Sequence, residues 1–324
     1  MAVSSPRFGI SSSASDNMLS LVLLKALAKA MDFRFDGVPA LCYFDEKDFN
    51  ICAEPFSFRS GKWLLRGKKY YLPNIEHKAL ITFFHGAGAG HSAYMLEIAA
   101  LVQQGYLVYA YDNTGCMTSE GTGIGSFAQS LLDQKAFYAF LDKKDTKGLA
   151  RYAIGHSWGG FTALGALDPA YHVEKVVSIS GFLSVKAELI AQLPILEKFE
   201  GTLDHALRKG YGEFGLRNMI DLIRQSSAKV LYIQGENDPV VPRNVAYDLL
   251  EQHFKDDPRV CLLLVPGAMH NPYWTLEAQK YFLDLQAQSK ILRLDFDNHA
   301  RVDYQRLNAD DPKVMGPIIK FLSE

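Results

Sequence analysis

The sequence predicts an α/β protein built on a mostly parallel sheet with helices on both faces, and three observations lead there. From residue 79 onward, short apolar runs at 79–84, 107–112, 151–156 and 174–180 alternate with helix-compatible stretches at 91–104, 125–142 and 159–167. Two further buried-strand runs, Val230–Gln234 and Val260–Val265, each end in turn-forming residues. Finally, Gly155-His156-Ser157-Trp158-Gly159-Gly160 sits where a strand must turn sharply into a helix. In an open parallel sheet the ligand site lies beyond the carboxyl ends of the strands, and each of these turns falls on that edge.

Taken in order, residues 1–17 are serine-rich and expected to be disordered, and 18–324 are expected to form one domain. Met18–Leu24 is apolar and followed by Lys25 and Lys29, which fits an amphipathic helix packed on the domain. The alternatives are an export leader cleaved near Ala28-Lys29-Ala30 or a serine-rich organellar leader. The run is too short to span a bilayer, so no stable membrane span is expected. Residues 33–45 and 56–72 read as strands and hairpins, with Arg59-Ser60-Gly61-Lys62 and Arg66-Gly67-Lys68-Lys69 as turns.

Between the strand at 174–180 and that at 230–234 the alternation pauses. Leu189, Ile190, Leu193, Leu196 and Phe199, then Leu216, Met219, Ile220 and Ile223, have helical spacing broken by Pro194, Gly201, Gly210, Gly212 and Gly215. Residues 182–228 are therefore expected to form a helical insertion capping the site. Helices are expected at 273–287 and 311–323, and 288–324 reads as a C-terminal extension whose first part exceeds what the fold needs.

Hydrophobic residues make up 48% of the 324, charged residues 22%, and the net charge is −2. That balance gives no reason to expect nucleic acid or attraction to an anionic membrane. The four cysteines, at 42, 52, 116 and 261, have neither zinc-ligand spacing nor a disulfide framework and fit reduced thiols in a cytoplasmic protein. The glycines at 86, 88 and 90 lack dinucleotide spacing, and no P-loop or internal repeat is present.

The chemistry starts at Ser157. A turn this tight strains its backbone, and Gly155 and Gly159 let it close, leaving the hydroxyl exposed for attack. A serine hydroxyl is a poor nucleophile at neutral pH, so it needs a base and a group that orients the base. Asp238 follows one strand and His270 another. The order Ser157, Asp238, His270 differs from that of the chymotrypsin and subtilisin types, and the intervals, 238 − 157 = 81 and 270 − 238 = 32, leave room for the intervening elements. Glu236, on the same turn as Asp238, is the alternative acid. The loop His85-Gly86-Ala87-Gly88-Ala89-Gly90-His91 can present the Ala87 amide to an oxyanion, with the Trp158 amide as the second donor. His85 and His91 are expected to hold that loop in shape, and His156 to point away from Ser157. Tyr94, Phe127, Tyr273 and Trp274 are core residues or pocket aromatics.

These motifs, His-Gly-Ala-Gly, Gly-His-Ser-x-Gly-Gly and Gly-x-x-Asp-x-Val-Val, resemble those of the α/β-hydrolases, and most closely the monoacylglycerol lipase and serine aminopeptidase branch. The similarity covers about residues 55–287. Members of the branch often carry Asp-x-x-Gly-x-Gly-x-Ser after the fourth strand; here Asp112, Gly115 and Ser119 are kept, but Met117 stands at the second glycine. The resemblance implies an α/β-hydrolase fold, a sheet of the eight-stranded type with a helical cap. It also implies a serine hydrolase that cleaves a small-molecule ester or acyl substrate through an acyl-enzyme, with no metal or organic cofactor. The same machinery serves peptidases or amidases, and an aminopeptidase would need acids such as Glu188, Glu197, Glu200 or Asp204 facing the site. A hydrolase fold retired to binding is the remaining reading.

Overall fold

The computed structural model describes Lys29 and residues 33–38, 41, 43–144, 146, 148–292 and 302–324. The expected disorder at 1–17 and the helix near 18–30 lie outside the described residues, Lys29 apart. The strands are β1 (Cys52–Ser60), β2 (Trp63–Tyr71), β3 (Leu80–Phe84), β4 (Leu107–Tyr111), β5 (Arg151–His156), β6 (Val173–Ile179), β7 (Lys229–Gly235) and β8 (Val260–Val265). They form one sheet in the order β1-β2-β4-β3-β5-β6-β7-β8. The β1–β2 and β2–β4 pairs are antiparallel and the other pairs parallel. Crossover connections place helices on the faces, so the central parallel strands are buried on both sides while β8, at the edge, is only partly covered.

Burial divides by the two-residue period of the strands. Leu80 and Phe84 of β3, Leu107, Tyr109 and Tyr111 of β4, and Val230 and Tyr232 of β7 enter one apolar cluster. That cluster also holds Phe137 of α2 (Gln129–Leu141), Phe161 of α3 (Trp158–Gly165) and Leu250 of α7 (Tyr247–Phe254). Their neighbours Ile81, Phe83, Val108, Ala110, Leu231 and Ile233 join the other cluster. There they meet Ile98 of α1 (Met95–Gln103), Phe282 of α8 (Leu276–Leu292) and Ile318 of α10 (Pro312–Ser323).

The insertion at 182–228 contains α4 (Val185–Gln192), α5 (Glu200–Tyr211) and α6 (Met219–Gln225), separated by 3₁₀ turns at Pro194–Phe199 and Gly212–Leu216. Leu189, Leu203, Leu207 and Ile220 attach these helices to the α2–α3 face. After α8, the short helix α9 (Tyr304–Leu307) and α10 return the chain to the opposite face, where Asp311 donates its amide to the Tyr273 carbonyl.

Two sequence expectations are corrected. Residues 33–38 pair with the loop after β4 through a single bridge, Phe35 to Cys116, and Glu46–Phe49 is a 3₁₀ turn, where strands were expected across 33–45. Arg66–Lys69 lies inside β2, the hairpin turn being at residues 61–62. Gly67 is there because β4 passes so close that a Cβ would stand 2.2 Å from the Ala110 carbonyl oxygen. It marks close backbone approach, a role glycine plays inside strands as well as in turns.

Candidate active site

The turn between β5 and α3 has the strain expected of it. Ser157 sits at φ 57°, ψ −121°, a left-handed region that ordinary residues avoid, at a cost of about 1–3 kcal/mol. The surrounding contacts over-determine it. A Cβ on Gly155 would stand 2.1 Å from the Gly159 oxygen, and one on Gly159 would stand 2.0 Å from the Phe84 oxygen. The elbow therefore closes only with glycine at both positions.

Loops after β7 and β8 deliver the other two side chains. Asp238 follows the Gly235 turn, and its carboxylate accepts the amides of Val240 at 2.8 Å and Val241 at 3.0 Å. It also meets His270 Nδ1, with Oδ1 at 3.0 Å and Oδ2 at 2.9 Å. On the far side of the ring, Nε2 lies 2.8 Å from Ser157 Oγ. A buried carboxylate can only accept, so His270 carries its proton on Nδ1 and leaves Nε2 free to accept from the hydroxyl. Burial by itself would raise the Asp238 carboxyl, but the His270 ring and the two backbone amides outweigh it and hold the group below the ordinary value. Glu236, the alternative acid, accepts instead from the Gly267 amide at 2.9 Å.

The glycine-rich loop after β3 is pinned at both ends of Gly86. Its amide donates to the Tyr94 hydroxyl oxygen at 3.1 Å, and its carbonyl accepts from His85 Nδ1 at 2.8 Å. The His85 tautomer follows from the Asn113 amide, which donates to Nε2 at 3.0 Å and leaves the proton on Nδ1. Burial pushes the His85 imidazole down and keeps it neutral. Because the C=O and N–H of a trans peptide point in opposite directions, fixing the Gly86 carbonyl on His85 turns the Ala87 amide away from that ring. Ala87 lines the cavity beside Ser157. Trp158 opens α3, and the first amides of a helix have no intrahelical acceptor. Its indole is buried and donates to the Phe127 carbonyl at 2.8 Å.

The Asp112 loop is built the same way. Asp112 accepts from the His91 amide and ring at 2.9 and 2.7 Å, and from the Thr118 amide and hydroxyl at 3.1 and 2.6 Å. Burial opposes its ionisation, yet His91, His85 and Thr118 prevail and hold it well below the ordinary carboxylate range. Met117, at the position of the second glycine in the motif that the chain resembles, has a positive φ of 41°. His91 thus holds the loop through Asp112, as His85 does through Gly86.

A cavity of about 250 Å³ opens beside the Ser157 hydroxyl. Val38, Leu41, Ala89, Ala93, Pro239, Val240, Met269, Phe282 and Leu283 provide apolar wall, and Tyr94, Tyr273 and Trp274 also line it. Among the described residues that line it, none is Asp, Glu, Lys or Arg, and none belongs to 182–228. The insertion reaches the rim through Gln192, whose amide donates to the Val240 carbonyl. Phe127 packs on Trp158 and Phe182 instead of lining the cavity. Sequence reasoning does not find the wall made by Val38 and Leu41, because nothing in a short irregular segment marks which loop it will dock on. Arg34 does the docking, donating to the carbonyls of Met117, Ser119 and Gly121 at 2.8, 3.1 and 2.6 Å.

A family model described as serine aminopeptidase, S33, matches residues 75–216, less than half of the chain. The match includes the glycine-rich loop and Ser157 but ends before Asp238 and His270. Curated relatives include proline iminopeptidase of Thermoplasma volcanium, 29% identical over 43% of this chain and 46% of the relative. Human monoglyceride lipase is 32% identical over 40% of this chain and 43% of the relative. The matches thus span less than half the length of these relatives. Among solved structures, an esterase of Pyrococcus furiosus superposes with a TM-score of 0.57 at 18% identity, covering 80% of this chain and 97% of the other. An acylaminoacyl peptidase of Pyrococcus horikoshii gives 0.52 at 17% identity, covering 73% and 41%. No helix among the described residues is long and apolar enough to cross a membrane. With this sheet order, the strand-to-helix elbow at Ser157 and these matches, the chain has the α/β-hydrolase fold and is similar in motif to the monoacylglycerol lipase and serine aminopeptidase branch.

Proposed function

We propose that the protein is a serine hydrolase that cleaves carboxylic esters of apolar acyl groups. The observation that carries this reading is the continuous hydrogen-bonded line from Asp238 through His270 to Ser157, opening on a mostly apolar cavity with no acidic or basic side chain other than histidine among the described lining residues. In this reading His270 Nε2 takes the Ser157 proton as Oγ attacks the ester carbonyl, and Asp238 stabilises the imidazolium that forms. The amides of Ala87 and Trp158 receive the oxyanion, each donor of this kind being worth about 3 kcal/mol in the transition state. His270 then gives the proton to the leaving alcohol. Water, deprotonated by the same nitrogen, cleaves the acyl-enzyme to release the acid and restore Ser157.

The names of the relatives raise a peptidase reading, and the cavity favours the ester. An aminopeptidase must bind a substrate ammonium, which calls for a carboxylate in the wall. Glu188 is buried with Oε1 bonded to Gln192, while Glu200 and Asp204 are paired with Lys186. None of them lines the cavity, nor does Glu197. A purely binding role is disfavoured because the strained elbow at Ser157 has a cost that a binding protein has no use for.

The test is Ser157→Ala assayed with p-nitrophenyl acetate and a parallel series of longer acyl esters and aminoacyl amides. Turnover is expected to fall by about 10⁶-fold if the three side chains act as a unit. A fluorophosphonate probe is expected to label the wild type and not the variant. Near-normal hydrolysis by Ser157→Ala removes the mechanism, and aminoacyl amides turning over faster than esters removes the substrate class.

A further inference from the structure

Beneath the elbow, a chain of hydrogen bonds crosses from the glycine-rich loop to the His270 loop, through groups that the reaction as written does not use. The Gly86 amide donates to the Tyr94 oxygen at 3.1 Å, and Tyr94 meets His156 Nδ1 at 2.9 Å. His156 Nε2 then reaches the His270 backbone carbonyl at 2.8 Å. Resting on the reading of Ser157 and His270 given above, we infer that Tyr94 and His156 are positioning residues that lock the oxyanion loop to the loop carrying the base.

The proton arrangement follows from which groups can only donate or only accept. A carbonyl accepts, so His156 Nε2 carries a proton and donates to His270. A backbone amide donates, so the Tyr94 oxygen accepts from Gly86 and its own hydrogen is free for His156 Nδ1. Nδ1 is then the bare nitrogen, and the ring is neutral. A second proton on it would put two donors face to face. Burial first, and the neighbouring His270 ring second, push the His156 imidazole down to about 3. The Tyr94 and Tyr273 phenols are both held in their protonated form by burial.

The three anchor points that the relay joins, two through backbone groups and one through the His156 ring, are what make it consequential. Gly86 precedes the Ala87 amide, His156 precedes Ser157, and the third anchor belongs to His270 itself. Reacting groups misplaced by about 1 Å can cost a hundredfold in rate, so holding these three loops in one frame is worth more in turnover than in substrate affinity. Gly86 is also shaped for the contact: a Cβ there would stand 2.6 Å from the Tyr94 hydroxyl and 3.4 Å from His156 Nδ1.

Tyr94→Phe, His156→Leu, His156→Gln and the Tyr94→Phe/His156→Leu double variant of the full chain test this with a p-nitrophenyl ester, beside Ser157→Ala. Tyr94→Phe and His156→Leu are each expected to lower kcat about 10- to 100-fold, with KM within about threefold. The double variant is expected to lose less than the product of the two. His156→Gln, whose amide can still donate to the His270 carbonyl, is expected to recover most of the loss. Unchanged kcat in a folded Tyr94→Phe, a loss confined to KM, or a double variant equal to the product overturns the relay. If His156 variants fail to fold, nitrogen NMR of the wild type decides: a proton on Nε2, a bare Nδ1 and no titration between pH 5 and 9 are expected, and a proton on Nδ1 overturns the inference. Ser157→Ala separates the two levels. If it abolishes turnover while Tyr94→Phe leaves it intact, only the relay falls; if it keeps turnover, the hydrolase reading falls and takes the relay with it.

Discussion

Replacing Glu188 by glutamine should stabilise the protein, and increasingly so as pH rises. Glu188 lies on α4 of the insertion, 4% exposed, with Oε1 accepting from Gln192 and no partner at Oε2 among the described residues. Burial first, and the Asp238 charge as well, raise it from 4.5 to about 7, against the smaller opposing pull of Gln192. The folded chain therefore holds a proton that the unfolded chain has released, and stability falls as pH climbs through the window between 4.5 and about 7. Linkage over that shift gives a penalty of about 1 kcal/mol at pH 5 and about 3 kcal/mol at pH 8. Glutamine copies the neutral acid, keeps an oxygen for Gln192 and has no charge to bury.

For 324 residues, with an unfolding entropy of about 2 cal/mol/K per residue, the growth of roughly 2.5 kcal/mol in that difference corresponds to about 4 °C. Thermal melts of the wild type and Glu188→Gln at pH 5, 6, 7 and 8 should show the variant's advantage widening by that amount. Comparing the two proteins at each pH removes contributions they share, including the buried, upward-shifted carboxyls of Glu97 and Asp310. A difference that is flat or shrinks with pH would refute the neutral state of Glu188.

Other outcomes follow from the site's geometry. Asp238→Asn should keep the fold but lower kcat by about 10⁴-fold with p-nitrophenyl acetate, because an amide can favour the wrong His270 tautomer; a loss under tenfold would count against the role of Asp238. Gly159→Ala, whose Cβ would stand 2.0 Å from the Phe84 oxygen, should abolish fluorophosphonate labelling. Gly201→Ala is its counterpart, in helix α5 with nothing within 4 Å, and should raise Tm by about 1 °C with activity unchanged. Arg34→Ala frees the segment carrying Val38 and should raise KM for apolar esters severalfold while kcat stays within twofold, measured on a medium-chain p-nitrophenyl ester.

Much of the architecture was legible because it is written in local terms. The strand expected at 79–84 is β3 at Leu80–Phe84, and that at 260–265 is β8, since continuous apolar runs of this length have few other places to go. The helix expected at 91–104 starts as a 3₁₀ turn at His91–Tyr94, because Gly90, at φ 70°, precedes it and offers no side-chain cap. Arg66–Lys69 read as a turn because its residue types suit one; only the approach of β4 shows that Gly67 belongs inside a strand. The 182–228 helices carry the expected apolar spacing, but that spacing says only that they pack, not that they pack beside the cavity.

The sequence by itself determined that Ser157 stands at a glycine-framed elbow and that Asp238 and His270 follow strands. Both depend on which backbone conformations neighbouring residues permit. Only the tertiary structure decided that Val38, Leu41 and α8 wall the cavity, that Glu188 is buried within range of the Asp238 charge, and that Tyr94 and His156 bridge two loops far apart in the chain. Those contacts arise when side chains of distant segments are brought to one edge of the sheet, and no local pattern encodes the direction in which they meet.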